Sequence, residues 1–455
     1  MERASANTTA GESNRSRTDG GATTEQTPSD STRELAVDVV VVGAGPGGCV
    51  LSYLLARSGV EVALLERHAD LDREFRGFGF QPDVLRLFDG MGLLKEVLDL
   101  DHERIETGEL YIYGDPCEIF DFDDVPGPYN YGILMEQPPL LELLIEEASA
   151  YENFTYYPST PVRDLVVEGG QAVGVDATDR VADEDLTIRS RLVVGADGRF
   201  STVRKAAGID PGLLDSDIEL LWFKLPDTVA HSAAQSRLNE HGLLLYFGLG
   251  GGEVQLGWFV ESGTYPDLRA EGIESFRKRL AAVDPSLSAA FPGALPDFEH
   301  CSLLHIAPGL STTWVDDGLL LLGDAAHVAS PVGAQGNALA IQDAVVAHAT
   351  VMNALDRERG RDTPLPEELL RRYVDRRRPD VKRVMRAQRR GEKMLSLYVR
   401  HGDAVPEAVK RPLLKAMFGV ASKVPFARTR VGQKLVETFM FGPDPVTVDT
   451  TWFTD

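Results

Sequence analysis

The run from Leu35 to Val42 is almost wholly apolar and rich in valine, the pattern of a strand buried on both faces of a parallel sheet. Gly43 to Gly48 then breaks the chain. Val50, Leu51, Leu54 and Leu55 follow at helical spacing, and Gly59 marks that helix's end. The strand pattern returns over Val60–Leu65 and ends in Glu66. Strand, helix and strand in this order predict a βαβ unit at the front of the folded chain. Further along, Gln81–Leu100 predicts helix with turns at Gly90 and Gly92, and Leu110–Tyr113 with Glu118–Phe122 predicts a hairpin. Pro139–Ala148 reads as helix, and Val162–Val167 and Ala172–Val175 flank a hairpin turn at Gly169-Gly170. Short buried strands are expected at Leu192–Val194 and Leu319–Leu322. Glu219–Phe259 alternates and is rich in aromatics, which predicts an antiparallel sheet. Ala338–Leu355 predicts a long helix, and the chain after Pro366 is expected to be mainly helical.

Before Leu35 the chain is rich in Ser, Thr, Gly and Glu and poor in large apolar residues, so residues 1–34 are expected to be a disordered tail. Acidic residues number 70 against 46 Lys plus Arg, a formal net charge of -24 over 455 residues. That balance argues against a nucleic-acid binder. Cys49, Cys117 and Cys301 are scattered and odd in number, so neither a disulfide framework nor a structural zinc site is expected, and a reducing cytoplasmic setting is the simplest reading. No apolar run predicts a transmembrane segment, and the start does not read as a secretory signal. One interval breaks the acidic trend. Of the 23 residues from 371 to 393, eleven are Arg or Lys against three acids. Pro379 can begin a helix there, with Val381, Val384 and Met385 on one face. The favoured reading is a helix packed on the rest of the protein. The sharper one is peripheral contact with anionic lipid through Arg376, Arg377, Lys382, Arg383 and Arg386.

Three motifs carry candidate chemistry. Gly43-Ala44-Gly45-Pro46-Gly47-Gly48 is a GxGxxG loop between strand and helix, where glycines let backbone approach a pyrophosphate and the helix start supplies unpaired N–H groups. Glu66 lies 23 residues after Gly43, where a carboxylate can accept from ribose hydroxyls. The second motif is Gly195-Ala196-Asp197-Gly198-Arg199-Phe200-Ser201-Thr202-Val203-Arg204. The third is Gly323-Asp324-Ala325-Ala326-His327, followed by Pro331-Val332-Gly333-Ala334-Gln335-Gly336-Asn337. Each of these two puts a short carboxylate after a buried strand, where ligands of open α/β sheets sit.

In this order and spacing the three motifs resemble the class A flavoprotein monooxygenases, the family of p-hydroxybenzoate hydroxylase and the ubiquinone-biosynthesis hydroxylases. The resemblance covers roughly Leu35 to Leu355. It implies an α/β fold with a Rossmann-like FAD-binding domain, an inserted, mainly antiparallel substrate sheet and a helical C-terminal region. Residues 35–105, 137–212 and 311–365 would form the FAD domain. Residues 106–136 would add a hairpin to the substrate domain of 213–310, and 366–455 would be the helical region. Non-covalent FAD is implied, with NADH or NADPH as co-substrate. Gly43, Gly45, Pro46 and Gly48 would hold the pyrophosphate, and Glu66, with Arg67 beside it, the adenosine end. Arg76 would reach the phosphates and Gln137 would contact the cofactor. Asp197 belongs to the shared FAD and NAD(P)H motif. Asp324 would accept from a ribityl hydroxyl, and Pro331, Gly333, Gly336 and Asn337 would lie along the isoalloxazine. The family loop usually runs Gly, apolar residue, Asn, whereas here Asn337 directly follows Gly336.

The reaction so implied is hydroxylation of a small aromatic or quinone-like substrate through a flavin C4a-hydroperoxide, with no catalytic side chain identified. Geranylgeranyl-reductase-like flavoproteins share the fold and are the alternative. Flavin halogenases carry a WxWxIP element, and Gly257-Trp258-Phe259-Val260-Glu261-Ser262 is not one. A non-catalytic carrier of this fold is argued against by intact Glu66, Asp197 and Asp324. Trp222, Phe223, Tyr246, Phe247, Trp258 and Phe259 are candidates for the walls of a substrate pocket, and alternation turns about half of them toward a core or solvent instead. His327 reads as a packing residue at a helix start before it reads as a proton donor. Asp316-Asp317 and Asp121, Asp123 and Asp124 read as solvated acids rather than metal ligands.

Overall fold

The fold comes from a computed structural model that describes residues 33–72, 77–124, 127–227, 234–401, 405–423 and 446–454. Nearly all of the tail expected at residues 1–34, and Arg76, lie outside them. Order begins earlier than Leu35. Arg33 and Glu34 already pair in register with Leu186 and Thr187, and Arg33 lies 3.4 Å from Glu184. A polar strand end is held there by its ladder, which composition does not register.

The first sheet has the parallel core of a dinucleotide-binding fold. Arg33–Val42 lies between Glu184–Gly195 and Val62–Leu65, with Leu319–Leu321 and Phe154–Tyr157 beyond them, all parallel. Val39, Val40 and Val41 are fully buried in the centre of this sheet, on which helices pack. Two of these, Pro46–Arg57 and Gly336–Arg357, lie close together. A side chain at Gly47 would meet Leu322 Cδ1 at 2.6 Å and Ala340 O at 3.0 Å. Gly336–Arg357 is long and apolar enough to cross a membrane, but 72% of its apolar window is buried inside the protein.

Asp83 and His348 show how this core treats ionisable groups. Gln342 donates to the fully buried Asp83 at 2.9 Å, which ties the helix Pro82–Met91 to Gly336–Arg357. His348 Nε2 lies 2.8 Å from Ser58 Oγ, and burial pushes its imidazole down to about 4 from 6.5. Between those values the unfolded chain binds a proton that the native chain refuses. Stability therefore falls as pH drops from 6.5 toward 4, by on the order of 3 kcal/mol in full. The melting temperature should decline through this window, and His348→Leu should flatten that part of the profile. Parallel pH profiles for the two proteins would refute the assignment.

The second sheet has seven strands in the order Ser302–His305, Ile218–Pro226, Glu253–Glu261, Gly242–Gly250, Ala234–Asn239, Thr107–Ile112 and Asp115–Asp121. All neighbours are antiparallel except Ala234–Asn239 against Thr107–Ile112. Alternation divides the aromatics. Phe223, Tyr246 and Trp258 enter a core with Phe276 and Leu280 of the helix Ile273–Val283. Trp222 and Phe259 take the opposite face, where Leu395 and Val399 pack. Phe247 shares that face, 5.9 Å from Trp222 between ring centroids.

Leu395 and Val399 belong to the helix Glu367–His401, which bridges both sheets. Pro379 does not start this helix but lies inside it. Proline deprives Asp375 of its helical donor. The continuous buried stripe of Leu370, Tyr373, Arg377, Val381 and Val384 holds the helix through that gap. The same stripe corrects the lipid-facing reading of Arg377, which is 1% exposed and ion-paired inside the protein. Arg376 pairs with Asp380, and Arg378 donates to the carbonyls of Thr312 and Ser311. Arg377 and Arg378 thus clamp the helix to the rest of the protein, while the Arg376 pair lies within the helix.

Candidate active site

The three motifs meet at the C-terminal ends of the parallel strands. Ala196 N–H donates to Val42 O at 2.8 Å, and Leu322 N–H donates to Gly195 O at 3.0 Å. Gly43 adopts φ +105°, and a Cβ there would meet Ala196 O at 2.6 Å. At Gly48 a Cβ would run into the carbonyl oxygen of Gly43, so the turn closes only on glycine. Gly45 is different. A Cβ there would meet nothing within 4 Å, although the residue caps the helix Pro46–Arg57. No side chain caps that helix start. The loop is thus closed toward its own sheet and open toward solvent, with free N–H groups at the opening. That cradle fits a pyrophosphate.

Glu66 is buried beneath the loop. Its carboxylate accepts from Ala44 N–H at 3.0 Å and from His68 N–H at 3.1 Å, which keeps the strand end and the glycine turn together. A carboxylate offers about four lone-pair sites, so it retains capacity for a hydroxyl donor. Arg67 points elsewhere: its Nε donates to His68 Nε2 at 2.8 Å in an exposed pair.

Asp197 caps the short helix Thr202–Ala206, accepting from Ser201 Oγ at 2.5 Å, Thr202 N–H at 2.6 Å and Val203 N–H at 3.1 Å. Burial pushes its carboxyl up from the usual range, against those three donors. Arg204, on the same short helix, is buried. It donates to Ala325 O at 2.9 Å and Arg199 O at 2.6 Å, which latches the second motif to the third. Its desolvated guanidinium is the link that motif reading alone left without a role.

Asp324 is half-buried, and its carboxylate accepts no hydrogen bond among the described residues. Gln137 is buried at the start of the helix Gln137–Ser149, with Oε1 unpartnered. An acceptor left unsatisfied in a buried place costs about 1–3 kcal/mol, so Gln137 suits a donor-bearing ligand, and the Asp324 carboxylate has lone pairs to offer one as well. The loop after the third motif is backbone-strained. Gly333 has φ +87° and Ala334 φ +51°, and both are exposed. Pro331, Gly336 and Asn337 are half-buried, and Gly336 begins the helix Gly336–Arg357.

Behind this loop lies a cluster that sequence reading missed. Asp343 is fully buried and accepts from Arg377 Nε at 2.7 Å and from Gly323 N–H at 3.1 Å. His327 Nε2 is 2.5 Å from its Oδ2. Burial pushes the Asp343 carboxyl up, but His327 and Arg377 outweigh it and hold it below the usual range. His327 is buried against Asp343, in the short strand His327–Val328 rather than at a helix start, with the Trp314 ring 5.2 Å from its own between centroids. Among the described residues no cluster of His, Cys, Asp and Glu could hold a metal.

Comparison with known proteins agrees with this geometry. Residues 36–388 match the FAD binding domain family. The chain is 38% identical over 358 residues to 6-methylpretetramide 4-monooxygenase of Streptomyces rimosus, covering 77% of this chain and 82% of that protein. It is 25% identical over 340 residues to squalene epoxidase 6 of Arabidopsis thaliana, covering 70% of this chain and 62% of that protein. The fold superposes on OxyS anhydrotetracycline hydroxylase from Streptomyces rimosus with a TM-score of 0.68 at 22% identity, covering 89% of this chain and 76% of that one. With this match over most of its length, and a glycine loop whose open side suits a pyrophosphate, the chain belongs to the class A FAD-dependent monooxygenase family.

Proposed function

We propose that this enzyme hydroxylates a phenolic, aromatic-polyketide-like substrate, using a nicotinamide reductant and molecular oxygen. The carrying observation is the 38% identity to a monooxygenase named for 6-methylpretetramide, sustained over 82% of that protein. The aromatic sheet face of Trp222, Leu245 and Phe247 supports it, since flat apolar walls suit a flat ring. Lys224, on the same strand as Trp222, is bonded to Glu136, which ends the strand Gly132–Glu136 paired with Gly77–Phe80 and leads into the helix of Gln137, so this sheet is tied to the neighbourhood of the glycine-loop domain.

In this reading Gly43, Gly45, Pro46 and Gly48 hold the FAD pyrophosphate, Glu66 accepts from the adenosine ribose, and Asp324 accepts from the ribityl chain. Gln137 supplies its free oxygen, Asp197 orders the adjoining motif, and Pro331, Gly333, Gly336 and Asn337 line the ring. Arg67 stays on the surface. When bound, FAD supplies the activation of oxygen; no side chain has to be a nucleophile. The protein binds, orients and excludes water. The cofactor is held non-covalently, and acid precipitation should release it. In this reading the enzyme works in the cytoplasm, which its three scattered cysteines support.

Turnover under labelled dioxygen tests the proposal. One labelled oxygen atom should appear in the product of a fused-ring phenol, and NADH or NADPH consumption should rise with that substrate. Oxygen-independent saturation of an isoprenoid chain would instead place the enzyme with digeranylgeranylglycerophospholipid reductase, to which the chain is 26% identical over 330 residues.

A further inference from the structure

Between the helix Glu367–His401 and the two crossovers that join the sheets lies a cavity of about 280 Å³. That is near the lower end of small-molecule clefts, at roughly 300 Å³. Leu214, Pro308, Leu310 and Met385 make its walls apolar. Glu392 lines one end. It is 6% exposed, and its Oε2 is shielded from water without any donor. Lys382, Arg386 and Arg389 line the cavity too, and none has a carboxylate partner among the described residues. Arg389 Nη1 is itself buried without an acceptor. On the same helix Gln388 donates to Ser330 O at 3.1 Å, and a Cβ at Gly391 would meet Val332 Cγ1 at 3.1 Å, so the helix abuts the strained loop.

We propose that this cavity is a second small-molecule site, taking a two-ring aromatic with a hydroxyl at one end and a carboxylate at the other. The apolar walls take the rings, with the Met385 thioether available to the aromatic edge. The hydroxyl donates to Glu392, supplying the bond that Oε2 lacks. The carboxylate meets the cations. Arg386 precedes Glu392 by six residues, about 9 Å of helix rise, which matches the length of a naphthalene substituted at both ends. Ser330 lines the cavity and adjoins Pro331, so an occupant presses on the loop from outside the aromatic sheet face. The assignment does not rest on the substrate proposed above.

The probe is fluorescent 6-hydroxy-2-naphthoate, titrated into the FAD-loaded enzyme, with 2-naphthoate and 2-naphthol as comparisons. The hydroxynaphthoate should bind about tenfold more tightly than either comparison, because each lacks one polar anchor. Glu392→Leu should erase the preference over 2-naphthoate, and Arg386→Gln the preference over 2-naphthol. Met385→Trp, or Leu214→Trp from the opposite wall, should fill the cavity and remove the binding, with the flavin absorption spectrum showing that each variant is folded. Affinity unchanged by both tryptophan variants would assign the probe to the aromatic sheet face and overturn the proposal. Absence of saturable binding to the wild-type enzyme would overturn it as well.

Discussion

Alanine at Gly48 and alanine at Gly45 should both abolish tight FAD binding, but only the first should destabilise the fold. At Gly48 the added methyl strikes the carbonyl oxygen of Gly43, a backbone atom that no rotamer can move away. The loss of stability should reach the upper end of the ~1–3 kcal/mol typical of overpacked sites. At Gly45 the methyl meets no protein atom within 4 Å. The apoprotein should melt within about 0.5 °C of wild type, because in a chain of 455 residues a loss of 1 kcal/mol lowers the melting temperature by only about 1 °C. What the methyl occupies is the approach to the uncapped helix start. FAD affinity should fall about a hundredfold, or ~2.7 kcal/mol. Apoprotein melting and FAD titration by fluorescence separate the two effects. A Gly45→Ala enzyme with wild-type FAD affinity would show that the cradle is not where the pyrophosphate lies.

Arg377→Met should destabilise the protein by about 3–5 kcal/mol, the usual result of leaving one partner of a buried ion pair behind. Asp343 would keep His327 and Gly323 N–H but lose the guanidinium that balances its charge. Because the native Asp343 carboxyl is depressed, its contribution is present above the unfolded carboxylate pKa and disappears as pH falls through the native one. The penalty of Arg377→Met should therefore be largest near neutrality and narrow in acid. Adding Asp343→Asn should recover part of the loss, since the orphaned charge goes with it. Denaturant titrations of the two variants at neutral and acid pH measure this. A single-variant penalty below 1 kcal/mol, or a double variant worse than the single, would remove the pair from the account of how Gly323 and Asp324 are held.

The parallel core was readable because its strands are continuous apolar runs, and the motif glycines because each answers a local steric demand. The half of the aromatics that enter the helix-covered core followed from alternation alone. Other features depend on residues brought together from far apart. The parallel pairing of Ala234–Asn239 with Thr107–Ile112 joins distant segments, and no turn between them announces it. The Asp343–Arg377 pair hid for a related reason. An aspartate within an apolar helix and an arginine within a basic run each look ordinary until burial puts them together. Pro379 misled because a local rule about helix starts was overridden by a long buried stripe.

The order of strands in the first sheet also bears on how the chain is made. The glycine loop leaves the ribosome early, yet the strand Glu184–Gly195 that flanks its own strand, and the Leu319–Leu321 strand beyond that, come much later. The helix carrying Arg377 follows later still. A nascent chain therefore presents one edge of Arg33–Val42, four consecutive valines included, until the strand ending at Gly195 has been made. Unpaired apolar edges of this kind are what chaperones hold and what aggregates recruit. Yield of this enzyme in a foreign host should thus be governed by the interval between the first strand and its last partner, more than by the stability of the finished fold.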